Sequence, residues 1–142
     1  MKIKVLLVDD EQQFVDTLSQ RLEARGFVVD TALEGERCLA LLKDKDMDVV
    51  ILDVLMPGLS GIDTLREIKK LRPLTEVIML TGHATVETAI EGMKLGAYDY
   101  LMKPTDIEDL VSKITKAHAR KAEHEDRIRQ ATIAKIAQKR GW

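Results

Sequence analysis

Three acidic residues stand where the chain leaves predicted strands. Asp53 ends one apolar run (residues 48–52), and the pair Asp9 and Asp10 ends another (residues 3–8). Such runs are typical of strands buried on both faces of a parallel sheet, which binds ligands at the carboxyl ends of its strands. If the two strands are neighbours, three like charges meet at one edge, which is costly without a cation. We expect Mg²⁺, which takes carboxylates, backbone oxygens and water.

Two further polar residues end predicted strands, Thr81 and Lys103. Lys103 would bring a second positive charge to the same edge of the sheet. An aspartate can act as a covalent nucleophile and form an aspartyl phosphate, and a metal ion and a lysine neutralise the transferring group. The Thr81 hydroxyl, with backbone N–H groups near Val54 and Gly82, would hydrogen-bond the product. The constellation therefore predicts phosphoryl transfer to Asp53.

The elements that must position these residues alternate regularly between strand and helix patterns. Apolar runs predict strands, and apolar residues at helical spacing predict a helix after each of them. The predicted strands cover residues 3–8, 27–31, 48–52, 77–80 and 98–102. Strict βα alternation implies a parallel sheet with helices on both faces. The fold class is α/β, doubly wound, with a flavodoxin-like strand order of 2-1-3-4-5 or half of a dinucleotide-binding fold. The flavodoxin-like order makes strands 1 and 3 neighbours.

Composition limits the class of protein. The 142 residues are 45% hydrophobic and 32% charged, which is ordinary for a globular domain. No stretch approaches the length of a membrane span, and a strand follows the first residues directly, so we expect no signal peptide and a cytoplasmic location. The single cysteine, Cys38, suits a reducing compartment and a place in the core. The acidic balance of residues 1–117 argues against nucleic-acid binding by the body.

The last predicted helix is too long for the body. Residues 118–127 contain no large apolar side chain, and aliphatic residues return only at Ile128. A heptad frame continued from the body places Lys121, His124 and Lys135 at core positions, so the coiled-coil signal is weak. We interpret residues 118–142 as a protruding helix that serves as a dimer contact or the start of a linker. A frayed tail is the alternative.

The motifs together resemble the receiver domain of two-component response regulators. The resemblance covers residues 3 to about 117, which gives a receiver domain over residues 1–117. It rests on the acid pair and the acceptor Asp53, followed by Met56, Pro57 and Gly61, and on Thr81, Tyr100 and the Lys103–Pro104 pair. Residues 81–101 look most like receivers of the NtrC type.

The resemblance implies a role for each site residue. Asp53 would accept a phosphoryl group from a sensor histidine kinase. Asp10, Asp53 and the Leu55 carbonyl would hold Mg²⁺, or Mn²⁺ in its place, and Asp9 would act through a metal-bound water. Lys103 would contact the phosphoryl group, and the Lys103–Pro104 peptide bond would be cis.

The resemblance also implies a switch. Thr81 would move toward the phosphoryl group while the ring of Tyr100 turns inward. Helix 4, strand 5 and helix 5 would then repack and change homodimerisation, through that face or the C-terminal helix. Such a protein is a regulatory phosphoacceptor rather than an enzyme, although it promotes its own Mg²⁺-dependent phosphorylation and slow dephosphorylation. We expect no DNA-binding domain in this chain, and it contains no Walker A motif.

Three alternatives use the same residues differently. A dehalogenase-type phosphohydrolase needs a second acid two residues after its nucleophile, where this chain has Leu55. A flavodoxin needs a Ser/Thr/Gly-rich phosphate loop after strand 1, where this chain has acids. A receiver fold used only for protein contacts needs none of the acids, nor Thr81 and Lys103. Each residue alone also has an ordinary interpretation, such as a helix N-terminus for Asp9 and Asp10 or a turn residue for Asp53.

Overall fold

The computed structural model describes residues 2–140, so the last two residues of the predicted extension lie outside the described part. The strands are β1 (Lys4–Val8), β2 (Val28–Ala32), β3 (Val49–Leu52), β4 (Glu76–Thr81) and β5 (Asp99–Met102). The helices are α1 (Gln12–Ala24), α2 (Gly35–Asp44), α3 (Gly61–Leu71), α4 (Val86–Lys94) and α5 (Ile107–Lys139). The predicted elements are all present, and their ends differ from the predictions by only a residue or two where both ends were predicted.

The strands pair in parallel in the order β2-β1-β3-β4-β5. This is the flavodoxin-like order, and the prediction of a doubly wound α/β fold is confirmed. The strand order changes direction at the β1–β3 pair, where Val8 is opposite Leu52. The residues that follow, Asp9 and Asp53, therefore leave the sheet side by side.

Two apolar layers cover the sheet because the strand side chains alternate between its faces. On one face, residues such as Val50 and Met79 pack with α2 and α3, and on the other, residues such as Ile51 and Ile78 pack with α1 and α5. Cys38 is fully buried in the first layer, as its helical position predicts. Burial of both strand faces explains why β3 and β4 read as continuous apolar runs.

Helix α5 is 33 residues long, and ionic contacts hold it to the body beyond residue 117. Arg120 Nη2 donates to Glu76 Oε1 over 2.8 Å, and the Glu76 side chain is only 3% exposed. Lys121 is 3% exposed and lies 3.3 Å from both Asp46 and Asp48. Burial alone would lower the pKa of Lys121, but the surrounding carboxylates more than offset it, so the pKa is raised. Division of the chain at residue 117 stays a prediction.

Helix α5 continues through the extension to Lys139, and the role of residues 118–142 stays a prediction. Its apolar side chains Ile128, Ile133 and Ile136 are each at least half exposed. Within the described residues, no helix combines the length and the apolar character needed to cross a bilayer.

Candidate functional site

The structure brings three acids together at the carboxyl edge of the sheet. One carboxylate oxygen from each of Asp9, Asp10 and Asp53 lies within 4.8 Å of the others. Asp9 and Asp53 are both 3% exposed, whereas Asp10 is exposed to solvent. The cluster forms because Val8 and Leu52 are register partners and each is followed by an acid. The cluster therefore has two buried carboxylates and one that faces solvent.

Asp9 is tied to two donors. Lys103 Nζ donates to Asp9 Oδ2 over 2.6 Å, and the Glu11 N–H donates to Asp9 Oδ1 over 3.0 Å. Burial is the largest influence on this carboxyl and raises its pKa, while both donors lower it and the charge of Asp53 raises it again. The net effect is a raised pKa, so the folded protein disfavours the ionised form of Asp9 relative to a free aspartate, and a further positive charge would favour it.

Lys103 is positioned by more than its ion pair with Asp9. Its Nζ lies 3.9 Å from the centroid of the Phe14 ring, a cation–π contact, and 3.3 Å from Glu11 Oε1. Burial lowers the pKa of Lys103, but the charges of Asp9, Asp53 and Glu11 more than offset it, and the pKa is raised. Lys103 therefore stays charged. As the family resemblance implies, the peptide bond between Lys103 and Pro104 is cis.

The loop after Asp53 is closed tightly on the end of its strand. The Val54 N–H donates to Asp53 Oδ1 over 2.8 Å. This hydrogen bond fixes the carboxylate through one oxygen and does not involve the other, Oδ2. The Gly61 N–H donates to the Val54 carbonyl, and a Cβ on Gly61 would lie 2.0 Å from the Asp53 carbonyl oxygen. The side chain of Leu55 is 58% exposed. Residue 61 must therefore be glycine for the loop to approach Asp53 this closely.

Thr81 and Tyr100 lie on neighbouring strands and on the same face of the sheet. Tyr100 is the register partner of Met79, which is two residues before Thr81. Thr81 is fully buried, and its Oγ1 accepts a hydrogen bond of 3.0 Å from the His83 N–H. The half-buried Tyr100 shares a 2.6 Å hydrogen bond with Thr88 at the first turn of α4. The tyrosine therefore connects β5 to the helix that follows the Thr81 loop.

The donor set fits a hard divalent cation. Three carboxylates with one lysine leave a surplus of negative charge, and carboxylate oxygens are ligands that Mg²⁺ prefers. Exposed Asp10 leaves room for the water molecules that Mg²⁺ usually keeps. Burial raises the pKa of Asp9, and a cation bound beside it would favour its ionised form.

Sequence patterns missed some residues that shape the site. Glu11 and Phe14 contact Lys103 from α1 and the turn before it, and Thr88 holds Tyr100. The helical spacing of Phe14 predicts that its ring packs in the core. It does not predict that the Lys103 ammonium group lies over that ring. These contacts join segments up to 92 residues apart, and no local pattern carries that information.

Comparison with known proteins agrees with the geometry. The family model "Response regulator receiver domain" matches residues 5–115. The transcriptional regulatory protein ZraR of Salmonella typhimurium is 38% identical over 135 residues, which are 95% of this chain. The match covers 31% of ZraR, so the chain spans about a third of that relative.

Solved structures share the fold over most of the chain. A receiver domain protein (CheY-like) from Methanospirillum hungatei superposes with a TM-score of 0.84 at 30% identity, covering 87% of this chain and 99% of that one. A response regulator from Burkholderia pseudomallei, solved with a phosphorylated aspartic acid and a calcium ion, has a TM-score of 0.76 at 26% identity. It covers 99% of this chain and 86% of that one.

Proposed function

Because the chain belongs to the response regulator receiver domain family, whose members are phosphoacceptors in two-component systems, we propose that Asp53 is its acceptor and a sensor histidine kinase its donor. The observation that carries the proposal is a buried carboxylate within 4.8 Å of two other acids, with Lys103 bonded to one of them. The family also supports a cytoplasmic location, where the kinase's phosphohistidine would be within reach.

The proposed step uses the free oxygen of Asp53. Oδ2 attacks the phosphorus, the bond from phosphorus to the donor nitrogen breaks, and that nitrogen keeps the electron pair. Oδ1 stays bonded to the Val54 N–H, so the carboxylate does not rotate during attack. The Lys103 ammonium group donates a hydrogen bond to Asp9. It would reorient toward the phosphoryl oxygens and neutralise their negative charge.

Mg²⁺, or Mn²⁺ in its place, would neutralise charge on the acids and on the phosphoryl oxygens when bound. Asp10 and Asp53 would hold it directly together with the Leu55 carbonyl, and Asp9 would act through a bound water. The exposed side chain of Leu55 fits a position that contributes only its backbone. The Burkholderia pseudomallei response regulator was solved with both a phosphorylated aspartic acid and a calcium ion, which supports an acceptor aspartate and a divalent cation here.

The proposed transfer has a direct test. We expect a small phosphodonor such as acetyl phosphate to add the mass of one phosphoryl group in the presence of Mg²⁺, and chelation of the metal to remove that addition. Intact-mass spectrometry at fixed times measures both. Uptake that is equal with and without chelator would contradict the role given to the acidic cluster.

Phosphorylation would be read by Thr81 and Tyr100. In the structure the Thr81 hydroxyl accepts from the His83 N–H, and a phosphoryl group on Asp53 would offer a charged acceptor for the hydroxyl's own proton. Movement of the 82–85 loop would disturb α4, and the bond between Tyr100 and Thr88 would break as the ring turns inward. A pre-existing equilibrium between the two arrangements would shift.

The surface that would carry the output is apolar. Val86, Ile90 and Met93 on α4 are between 48% and 72% exposed, and Met102 on β5 is 65% exposed. Adjacent exposed side chains of this size are typical of a protein contact. We propose that phosphorylation changes homodimerisation or partner binding through the α4-β5-α5 face.

A stable phosphoryl mimic tests this output. We expect beryllofluoride with Mg²⁺ to raise the average mass in sedimentation velocity, because the α4-β5-α5 face repacks. Ile90→Ser should weaken the response, whereas Leu33→Ser, which changes an apolar side chain that is 41% exposed between β2 and α2, should not. An unchanged mass with the mimic bound would rule out the dimer switch.

A further inference from the structure

The face of α5 that packs on the body continues along the protruding part of the helix. Within the body this face is formed by Leu110, Ile114, Ala117 and Lys121, which are all buried. Residues three or four apart share a helix face. The same face therefore passes through a set that we term the tip stripe, namely Glu125, Ile128, Thr132, Ile136 and Lys139.

The tip stripe is apolar in the middle and charged at its ends. Ile128 is 54% exposed and Ile136 is 50% exposed. The Thr132 hydroxyl between them donates to the Ile128 carbonyl of its own helix over 2.9 Å, so the residue presents mainly its methyl group. Glu125 ends the stripe near the body, and Lys139 ends it at the far end. A helix face of this kind is stable when a second helix covers it.

The spacing of the tip stripe is symmetric about Thr132, with steps of three, four, four and three residues. Two copies laid antiparallel would place Ile128 against the partner subunit's Ile136, and Glu125 against the partner subunit's Lys139. A parallel pair would also match isoleucines, but it would oppose Glu125 to Glu125 and Lys139 to Lys139. Like charges at one level repel, so the charge pattern favours the antiparallel arrangement.

The charged residues beside the tip stripe also favour an antiparallel pair. Residues 123–126 contain three acids and no lysine or arginine, and residues 135–140 contain three lysines and arginines and no acid. Lys121 forms ion pairs with Asp46, Asp48 and Glu125. One positive charge therefore faces three negative charges at this place. The basic end of an antiparallel partner would arrive at this surplus of negative charge.

We propose that a second copy of this chain pairs antiparallel with the tip stripe. The paired segment, residues 125–139, is about 21 Å long at 1.5 Å per residue. It begins where contact with the body ends. The proposal specifies one of the two dimer contacts considered for this protein, and it requires no phosphorylation. It therefore stands or fails apart from the proposed phosphoacceptor function.

Cysteine cross-linking in an Asp53→Asn background tests the arrangement. The native Cys38 is fully buried and should not interfere. Ile128→Cys and Ile136→Cys proteins should each form little disulfide-linked dimer under mild oxidation, while their mixture should give a disulfide-linked dimer at several-fold higher yield. Ile133→Cys replaces an isoleucine that is 55% exposed but outside the stripe, and it should cross-link poorly with Ile136→Cys.

Two results would overturn the proposal. One is efficient cross-linking of Ile128→Cys with itself, which indicates a parallel pair. The other is a mixture that cross-links no better than its components, which indicates no pairing of the tip stripe. A charge exchange gives an independent check. Lys139→Glu in both partners should lower the yield of the mixed dimer several-fold, and the addition of Glu125→Lys to both partners should restore it; failure to restore also contradicts the proposed register.

Discussion

Asp53→Asn is expected to reduce phosphoryl uptake from a small donor to background. The amide cannot act as the nucleophile that a carboxylate provides, and no other carboxylate of the cluster has the same environment. Asp10 is exposed to solvent, and Asp9 is engaged by the Lys103 ammonium and the Glu11 N–H. Asparagine is nearly the same size as aspartate, and its side-chain oxygen can still accept from the Val54 N–H, so the fold should survive. Intact-mass spectrometry over time measures the uptake.

Asp16→Asn is the matched control for that experiment. Asp16 is an exposed aspartate on α1, where it accepts from Gln12, and it lies outside the acidic cluster. Its substitution should leave the rate of uptake unchanged. If Asp53→Asn continues to take up the phosphoryl group at a rate close to that of the parent protein, another residue is the acceptor. Peptide mapping of the labelled protein would then identify it.

Gly61→Ala is expected to produce the largest loss of stability among single-atom additions near the site. The new Cβ would lie 2.0 Å from the Asp53 carbonyl oxygen and 2.6 Å from the Val54 Cα. Both atoms belong to the backbone, so no side-chain rotation can relieve the contact. Overpacking of this kind costs about 3 kcal/mol. The shift would also displace Asp53, so phosphoryl uptake should fall together with the free energy of unfolding measured in urea.

Gly92→Ala tests whether the loss comes from the contact or from replacing any glycine. A Cβ on Gly92 would meet its neighbours at 3.6 Å or more, which is ordinary van der Waals distance. Because Gly92 lies within α4, alanine should raise the free energy of unfolding by up to about 1 kcal/mol. The two substitutions are therefore expected to change the free energy of unfolding in opposite directions. Equal, small effects would show that the 53–61 loop can adjust without cost.

The sequence was sufficient to predict where the site residues meet. Asp9, Asp53, Thr81 and Lys103 each follow an apolar run, and the carboxyl ends of parallel strands share one edge of the sheet. βα alternation allows two strand orders, and in the flavodoxin-like one, which the structure has, their approach follows from topology. No side-chain geometry was needed for that prediction.

Contacts that depend on packing between distant segments could not be predicted in the same way. The cation–π contact between Phe14 and Lys103 joins α1 to the end of β5. In the sequence Lys121 is a charged residue at a core position of the heptad frame. In the structure it is buried against acidic residues of the segment before β3. Gly61 belongs to the motif that carries the family resemblance, but its close approach to the Asp53 carbonyl was not predictable, because that depends on how the loop folds back.

The ionic attachment of α5 has a mechanical consequence. The helix begins beside Lys103 at the acidic edge of the sheet and is fastened at the opposite edge by Arg120 and Lys121. It can therefore act as a lever with its fulcrum at residues 120–121. About 27 Å of rod extends from Lys121 to Lys139, so a tilt of about 10° would move the free end by about 5 Å. The end of the helix near Lys103 lies about 21 Å from the same fulcrum and would move by about 4 Å in the opposite direction. A displacement at the acidic edge would therefore reach the tip at similar size, on the far side of the domain.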